Sequence, residues 1–198
     1  VAPEALEEIR AREGLSEIRA VTEANGQGAA FWLPMTPADL PAVMAVAEEV
    51  HPDYPEDAAI FAERLTLHPA GCLCLADSQG VAGYVLSHPW RLYDIPALNA
   101  LLGAIPAGAS AYYVHDLALL PRTRGTGAAS EIVDRLADQA RASGFAAIAL
   151  VAVNRSVGFW QRHGFRETHD VALDRKLASY DDAARYMTRT LEGVAADR

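Results

Sequence analysis

The sequence predicts an α/β (α+β) domain, a central sheet flanked by helices, on three observations. Apolar runs with strand character alternate with segments of helical period, in the order strand, two helices, three strands, helix, strand, helix, closing strands. The chain has 198 residues, 51% of them hydrophobic, enough to fill one core. A strand ending at Leu119 passes through a glycine-containing turn straight into a long helix pattern beginning at Ala128.

Taken in order, residues 4–24 set Leu6, Ile9, Leu15 and Ile18 among charges at irregular helical spacing, and Asn25-Gly26-Gln27-Gly28 breaks the pattern. Residues 1–29 therefore read as a peripheral helical extension, with a dimer arm or a lid as alternatives. Ala30–Met35 is a first strand. Thr36-Pro37-Ala38-Asp39 supplies a capping hydroxyl, a first-turn proline and an acid for the next helix, which lines Leu40, Val43, Met44 and Ala47 along one face. His51-Pro52-Asp53-Tyr54-Pro55 ends it, and Asp57–Leu67 resumes a second helix through Ile60, Phe61 and Leu65. Gly71–Ala76 and Val81–Ser87 are strands of a hairpin turned by Asp77-Ser78-Gln79-Gly80. His88 to Ser110 reads as a long loop, either functional or a plain insertion. Tyr112–Leu119 is a strand, Ala128–Ser143 a helix with Ile132, Val133, Leu136 and Ala140 at core spacing, and Ala146–Val153 a buried strand. Val157–His163 forms a short helix and Arg185–Leu191 a closing strand.

Composition narrows the function. No apolar run approaches the roughly 20 residues that span a bilayer, and Val1-Ala2-Pro3-Glu4 opens without a basic region or apolar signal core, so a soluble cytoplasmic protein is expected. Seventeen basic residues against 26 acidic, a net charge of −9, argue against nucleic acid as a partner. The acidic balance suits a cationic amine substrate, or simply solubility. Cys72 and Cys74 fall on the same face of a predicted strand and read as buried thiols; with no second Cys or His pair nearby, no metal is expected.

The run Leu117-Ala118-Leu119-Leu120-Pro121-Arg122-Thr123-Arg124-Gly125-Thr126-Gly127-Ala128 is a phosphate cradle in outline. Two glycines spaced by one residue let backbone approach a ligand, and a helix starting there turns unpaired N–H groups and its positive dipole end toward an anion. Arg122 and Arg124 add countercharge. No Gly-Lys-Ser/Thr follows, which excludes a Walker loop, and the third glycine of a dinucleotide fingerprint is missing. The order Leu-x-Pro-x-x-Arg-Gly-x-Gly, with Arg122, Gly125 and Gly127 in register, resembles the acyl-CoA-binding motif of the GNAT N-acetyltransferase superfamily. A second segment, from the strand Ala146–Val153 through Asn154 to Phe159-Trp160-Gln161-Arg162-His163-Gly164-Phe165, is similar to that family's Asn, aromatic, Gly-Phe ending.

The resemblance implies an acyltransferase domain over residues 30–198, with a GNAT-type mixed, mostly antiparallel sheet whose strands Tyr112–Leu119 and Ala146–Val153 splay apart. It implies acetyl-CoA as cosubstrate. The Leu119 N–H would polarise the acetyl carbonyl, Leu117 would hold the pantetheine, and the amides of Arg124, Gly125, Thr126, Gly127 and Ala128 would hold the pyrophosphate, with Arg122 and Arg124 adding charge. Asn154 and Trp160 complete the cofactor side. Two departures stand out: Trp160 occupies the place of a tyrosine that many members use as thiolate acid, and Asn154 is one residue closer to the aromatic than is common. An indole N–H is no practical acid, which leaves water, Tyr186 or no acid at all.

For the base, strand alternation puts Tyr113 and His115 on one face with Leu117 and Leu119, and Asp116 on the other. His115, with an ordinary pKa of roughly 6.5, is the first choice, with Tyr113 and Asp116 beside it; a structural hydrogen bond is the alternative role. Glu48, Glu49 and His51 stand where the family's substrate-facing residues fall, and could bind a cationic amine or merely face solvent. The expected activity is direct acetyl transfer from acetyl-CoA to an amine of a small molecule or peptide. A non-catalytic acyl-CoA-binding sensor or partner protein is the alternative, and homodimerisation is a further expectation from the family.

Overall fold

The computed structural model describes residues 30–177 and 183–191; the expected extension over 1–29 lies outside them. Seven strands of the described residues form one sheet: β1 (Phe31–Pro34), β2 (Cys72–Asp77), β3 (Gly80–Trp90), β4 (Ala111–Leu119), β5 (Ala147–Ala152), β6 (Arg166–Glu167) and β7 (Arg185–Thr190). Their spatial order is β1-β2-β3-β4-β5-β7-β6. Every neighbouring pair is antiparallel except β4 and β5, which run parallel. The helices are α1 (Leu40–Val50), α2 (Ala58–Leu67), α3 (Ala128–Ala142), α4 (Val157–Arg162) and α5 (Val171–Leu177). The sequence pattern did not separate β6 and α5, one too short for a period-2 signal and the other barely two turns.

The sheet has two covered faces. On one, α3 and α4 pack Ile132, Val133, Leu136 and Trp160 against Val85, Tyr112, Val114 and Ile148. On the other, α1 and α2 bring Val43, Val46, Phe61 and Leu65 onto Cys72, Cys74, Tyr84 and Leu86. Both cysteines are buried free thiols on this face, and burial pushes Cys72 up to about 12, so neither is an available nucleophile. Farther along the strands, Trp90, Tyr113 and Tyr186, with Ile95 from the loop after β3, pack beneath α5.

Three departures from the expected elements shape the site. First, β3 continues to Trp90, so the loop before β4 begins at Arg91 rather than His88. Pro89 is tolerated because β2 pairs with β3 only as far as Leu86, leaving an open edge that needs no N–H. Second, β4 and β5 pair only from Tyr112 opposite Ile148 to Val114 opposite Leu150, after which β4 runs on to Leu119 paired with β3 alone. Third, the register between β3 and β4 jumps from Leu86 opposite Asp116 to Ser87 opposite Val114, which makes His115 the extra residue of a β-bulge.

The bulge overturns the expected alternation. Leu117 and Leu119 pack with Tyr112 and Val114 on the α3 face, while Tyr113 sits on the opposite face. Asp116 is on that opposite face too, bonded by the Tyr84 hydroxyl, and His115 lies there against His88. His115 and Asp116, consecutive in sequence, thus share the α1 face instead of pointing apart.

Candidate functional site

At the end of β4 the chain makes a 3-10 turn, Pro121–Thr123, and enters α3 with Gly127 as its N-cap. Gly125 and Gly127 have φ of +79° and +90°, the left-handed region that a side chain enters only with strain. A Cβ at either would meet nothing within 4 Å, so the loop is open on its outer side, as an approaching ligand requires. Thr126 Oγ1 donates to the Thr123 carbonyl and accepts, at 3.4 Å, from the Ala128 N–H, pinning the loop from within. The N–H groups of the next α3 residues remain oriented out of the helix end.

Leu120 donates its N–H to Ala82 on β3. Because successive strand residues alternate, the N–H groups of Leu119 and Leu117 aim the other way, into the gap where β5 has stopped pairing. A cavity of about 260 Å³ fills that gap. Leu117, Leu119, Ala129, Asn154 and Trp160 line it from the strand and helix ends, and Tyr113, His115 and Asp116 from β4. The backbone donors, the open glycine loop and the apolar walls fit a long thioester ending in phosphates: the gap would hold the acyl and pantetheine portion and the loop the pyrophosphate.

The arginines divide. Arg122 donates through Nε to Asp77 at 2.7 Å and through a guanidinium nitrogen to the Val81 carbonyl, so its charge is committed to the hairpin turn. Arg124 is exposed beside the glycines. Trp160 is buried against Phe159 and Phe165 and donates its indole N–H to Ser156 Oγ at 3.2 Å, a packing role with no proton to transfer. Tyr186 is away from the cavity, its hydroxyl accepting the Tyr93 N–H at 3.0 Å and burial raising it to about 12, which removes it as a thiolate acid.

Two imidazole–carboxylate pairs form the polar wall. His115 Nε2 lies 3.0 Å from Glu56 Oε2, both side chains less than a tenth exposed. A carboxylate can only accept, so Nε2 carries the proton and the neutral ring keeps its lone pair on Nδ1. The other oxygen of Glu56 accepts the Asn99 N–H at 3.0 Å, tying the loop after β3 to the same carboxylate. Burial alone would raise the Glu56 carboxyl; the hydrogen bond from His115, with the ring's charge whenever it is protonated and help from Asn99, outweighs it and holds Glu56 below its ordinary value.

The second pair is His51 and Asp116, at 3.1 Å, in ion-pair range although the N–H lies off a hydrogen-bond axis. Asn154, at φ +52° just past β5, puts its amide nitrogen 2.8 Å from His51 Nδ1. Burial would lower His51, but Asp116 and the Leu117 backbone reverse this and raise it. Burial likewise works against the Asp116 carboxylate, and His51 and the Tyr84 hydroxyl more than offset it. Beneath both pairs lies His88, fully buried, its Nδ1 donating to the Pro89 carbonyl and its other nitrogen without a partner among the described residues. Burial lowers it to about 3, so it stays neutral.

Glu56 and Tyr84 escaped the sequence reading. Glu56 follows a proline in a turn-rich segment and Tyr84 looks like any strand aromatic; only the tertiary partners give them roles. Glu48 and Glu49 are exposed on α1, and of the three residues expected at that helix end only His51 enters the cluster.

A sheet that opens between a glycine loop and a set of imidazole–carboxylate pairs describes an acyltransferase. The acetyltransferase (GNAT) family model matches residues 37–165, well over half of the chain, and the chain belongs to that family. No curated protein sequence matches it. Among solved structures it is similar to the GphF GNAT-like decarboxylase in complex with isobutyryl-CoA, at 18% identity and TM-score 0.69, covering 82% of this chain and 100% of that one. Ard1 from Thermoplasma volcanium is 14% identical with TM-score 0.63, covering 83% and 99%. The ribosomal-protein-S18-alanine N-acetyltransferase from Escherichia coli is 13% identical with TM-score 0.59, covering 86% and 99%. At these identities the likeness is one of fold. Among the described residues no helix is long and apolar enough to cross a membrane.

Proposed function

We propose that the protein is an N-acetyltransferase that moves the acetyl group of acetyl-CoA directly to an amine, with His115 as the base. The carrying observation is the His115–Glu56 pair on the wall of the strand gap, its carboxylate fixing the tautomer that leaves Nδ1 able to take a proton. Bound acetyl-CoA supplies the acyl group as a thioester. The Leu119 N–H stabilises charge developing on the acyl oxygen, and the amides of Arg124 to Ala128 hold the pyrophosphate. Glu56 and Asp116, both held ionised, draw the ammonium in. His115 takes one proton from the ammonium, the freed lone pair attacks the acyl carbon, the C–S bond breaks as the new N–C bond is completed, and the second nitrogen proton passes through water to the departing thiolate, because neither Trp160 nor Tyr186 can supply one.

The same carboxylates disfavour a carboxylated acyl group, so the decarboxylase activity named for GphF is the poorer reading of this site. The test is thiol release from acetyl-CoA with a panel of amines. Amine-dependent release that falls in His115→Ala supports the proposal. Acetyl-CoA binding with no release for any amine favours a non-catalytic acyl-CoA-binding sensor, and absence of binding defeats both.

A further inference from the structure

A second cavity, of about 880 Å³, adjoins the first and shares His51, Tyr54, Glu56 and Asp116 with it. An acceptor resting there would meet the acyl group at those shared residues. Its remaining walls come from α1, the turn after it and the start of α2, and their chemistry is one-sided. Leu40, Met44, Phe61 and a set of prolines make it apolar, while its charged lining consists of Glu48, Glu56 and Asp116 with His51; among the described residues neither Lys nor Arg lines it. The nearest buried guanidinium, Arg64, is spent on Glu63 and the Ala100 carbonyl.

An acceptor carrying a carboxylate next to its amine would bring a negative charge among three others, where the one imidazole of the lining, His51, is already set against Asp116. A polyamine would satisfy the acids but leave the apolar walls facing a wet, charged chain. From this lining we infer that the acceptor is a hydrophobic primary amine with no carboxylate beside the nitrogen, its ammonium at Glu56 and Asp116 and its apolar body against Leu40, Met44 and Phe61. The inference rests on the proposed function for the chemistry that follows binding, but the selectivity is a property of the cavity. Two sources share this chemistry, a free arylalkylamine and a peptide with an apolar first residue.

The test uses protein saturated with CoA and measures binding by calorimetry alongside thiol release from acetyl-CoA. The probes are phenethylamine, a phenylalanyl tetrapeptide amide, phenylalanine and spermidine. Phenethylamine or the tetrapeptide should bind at least roughly tenfold more tightly than phenylalanine and spermidine, and whichever of the first two leads names the source. Glu48→Lys, an exposed change at the rim, should narrow the gap between phenethylamine and phenylalanine about tenfold. Ala45→Trp, also exposed, should weaken amine binding while CoA affinity holds. Selective binding without thiol release would sink the proposed acetyl transfer and leave this inference standing. Equal or tighter binding of phenylalanine or spermidine, or no binding of any probe, would overturn it.

Discussion

The glycine loop and the imidazole–carboxylate cluster flank one cavity yet are built by opposite means. The loop spans a few consecutive residues, and what it offers is backbone: two left-handed glycines and a helix end. The cluster draws His51, Glu56, His115 and Asp116 from the C-cap of α1, the α1–α2 turn and β4, and what it offers is side chains held by one another. The loop should therefore govern affinity for the cofactor and little else, and the cluster should govern turnover.

The sharpest separation comes from His115→Ala. Loss of a positioned base costs about 10²–10⁴-fold in kcat, while the CoA dissociation constant, measured by calorimetry, should stay near that of the unaltered protein. Glu56→Gln should give an intermediate loss, since an amide can still accept from Nε2 but no longer supports the imidazolium. Equal turnover of His115→Ala and the parent across pH would remove His115 from the chemistry. The mirror experiment is Gly125→Asp, which forces a side chain into φ +79° and sets a carboxylate beside the phosphates. Here CoA affinity should fall roughly 100-fold with the fold retained, because a Cβ there meets no neighbour.

The same contrast decides what the amino-acid order revealed. Helical and strand periods, the hairpin and the glycine loop depend on residues close in sequence, so they read directly, and so did His115 as a candidate. The bulge that turns His115 and Asp116 to one face did not, because it exists only in the pairing of β4 with β3. Glu56 acquires its meaning from a histidine 59 residues away, and Asn154 turns to His51 across 103. Period-2 reasoning assumes an unbroken ladder, and a bulge next to a site is where that assumption fails.

Acid separates the two regions in a different way. His88, beneath the cluster, has its folded pKa near 3 against 6.5 for the free side chain. Its contribution to stability is complete above pH 6.5 and is lost as pH falls toward 3, at no more than about 1.4 kcal/mol per unit. Glu56 and Asp116 add a loss at lower pH, below the ordinary carboxylate range, since their folded values are depressed. Chemical denaturation between pH 7 and 5 should show the His88 slope, and His88→Leu should flatten it whatever its effect on the midpoint. An unchanged slope would mean that His88 finds a partner for its second nitrogen and is protonated in the folded protein.

The smallest expected effect tests whether the loop is as purely a backbone device as it looks. Arg122 and Arg124 stand two residues apart, yet one is bound to Asp77 and Val81 and the other is exposed. If charge at the loop acts only where it is uncommitted, Arg124→Ala should weaken CoA about threefold to tenfold, and the loss should shrink as salt rises. Arg122→Ala should cost less than that in affinity and show its effect instead in thermal stability, through the freed Asp77 carboxylate. The reverse ranking would be informative, because Arg122 can reach a pyrophosphate only by leaving Asp77. Ligand binding would then have to break the link between the β2–β3 turn and the loop, and Asp77→Asn would tighten CoA binding by releasing Arg122 in advance. If Asp77→Asn leaves CoA affinity unchanged, the pair is scaffold and the glycines with the helix end carry the phosphates.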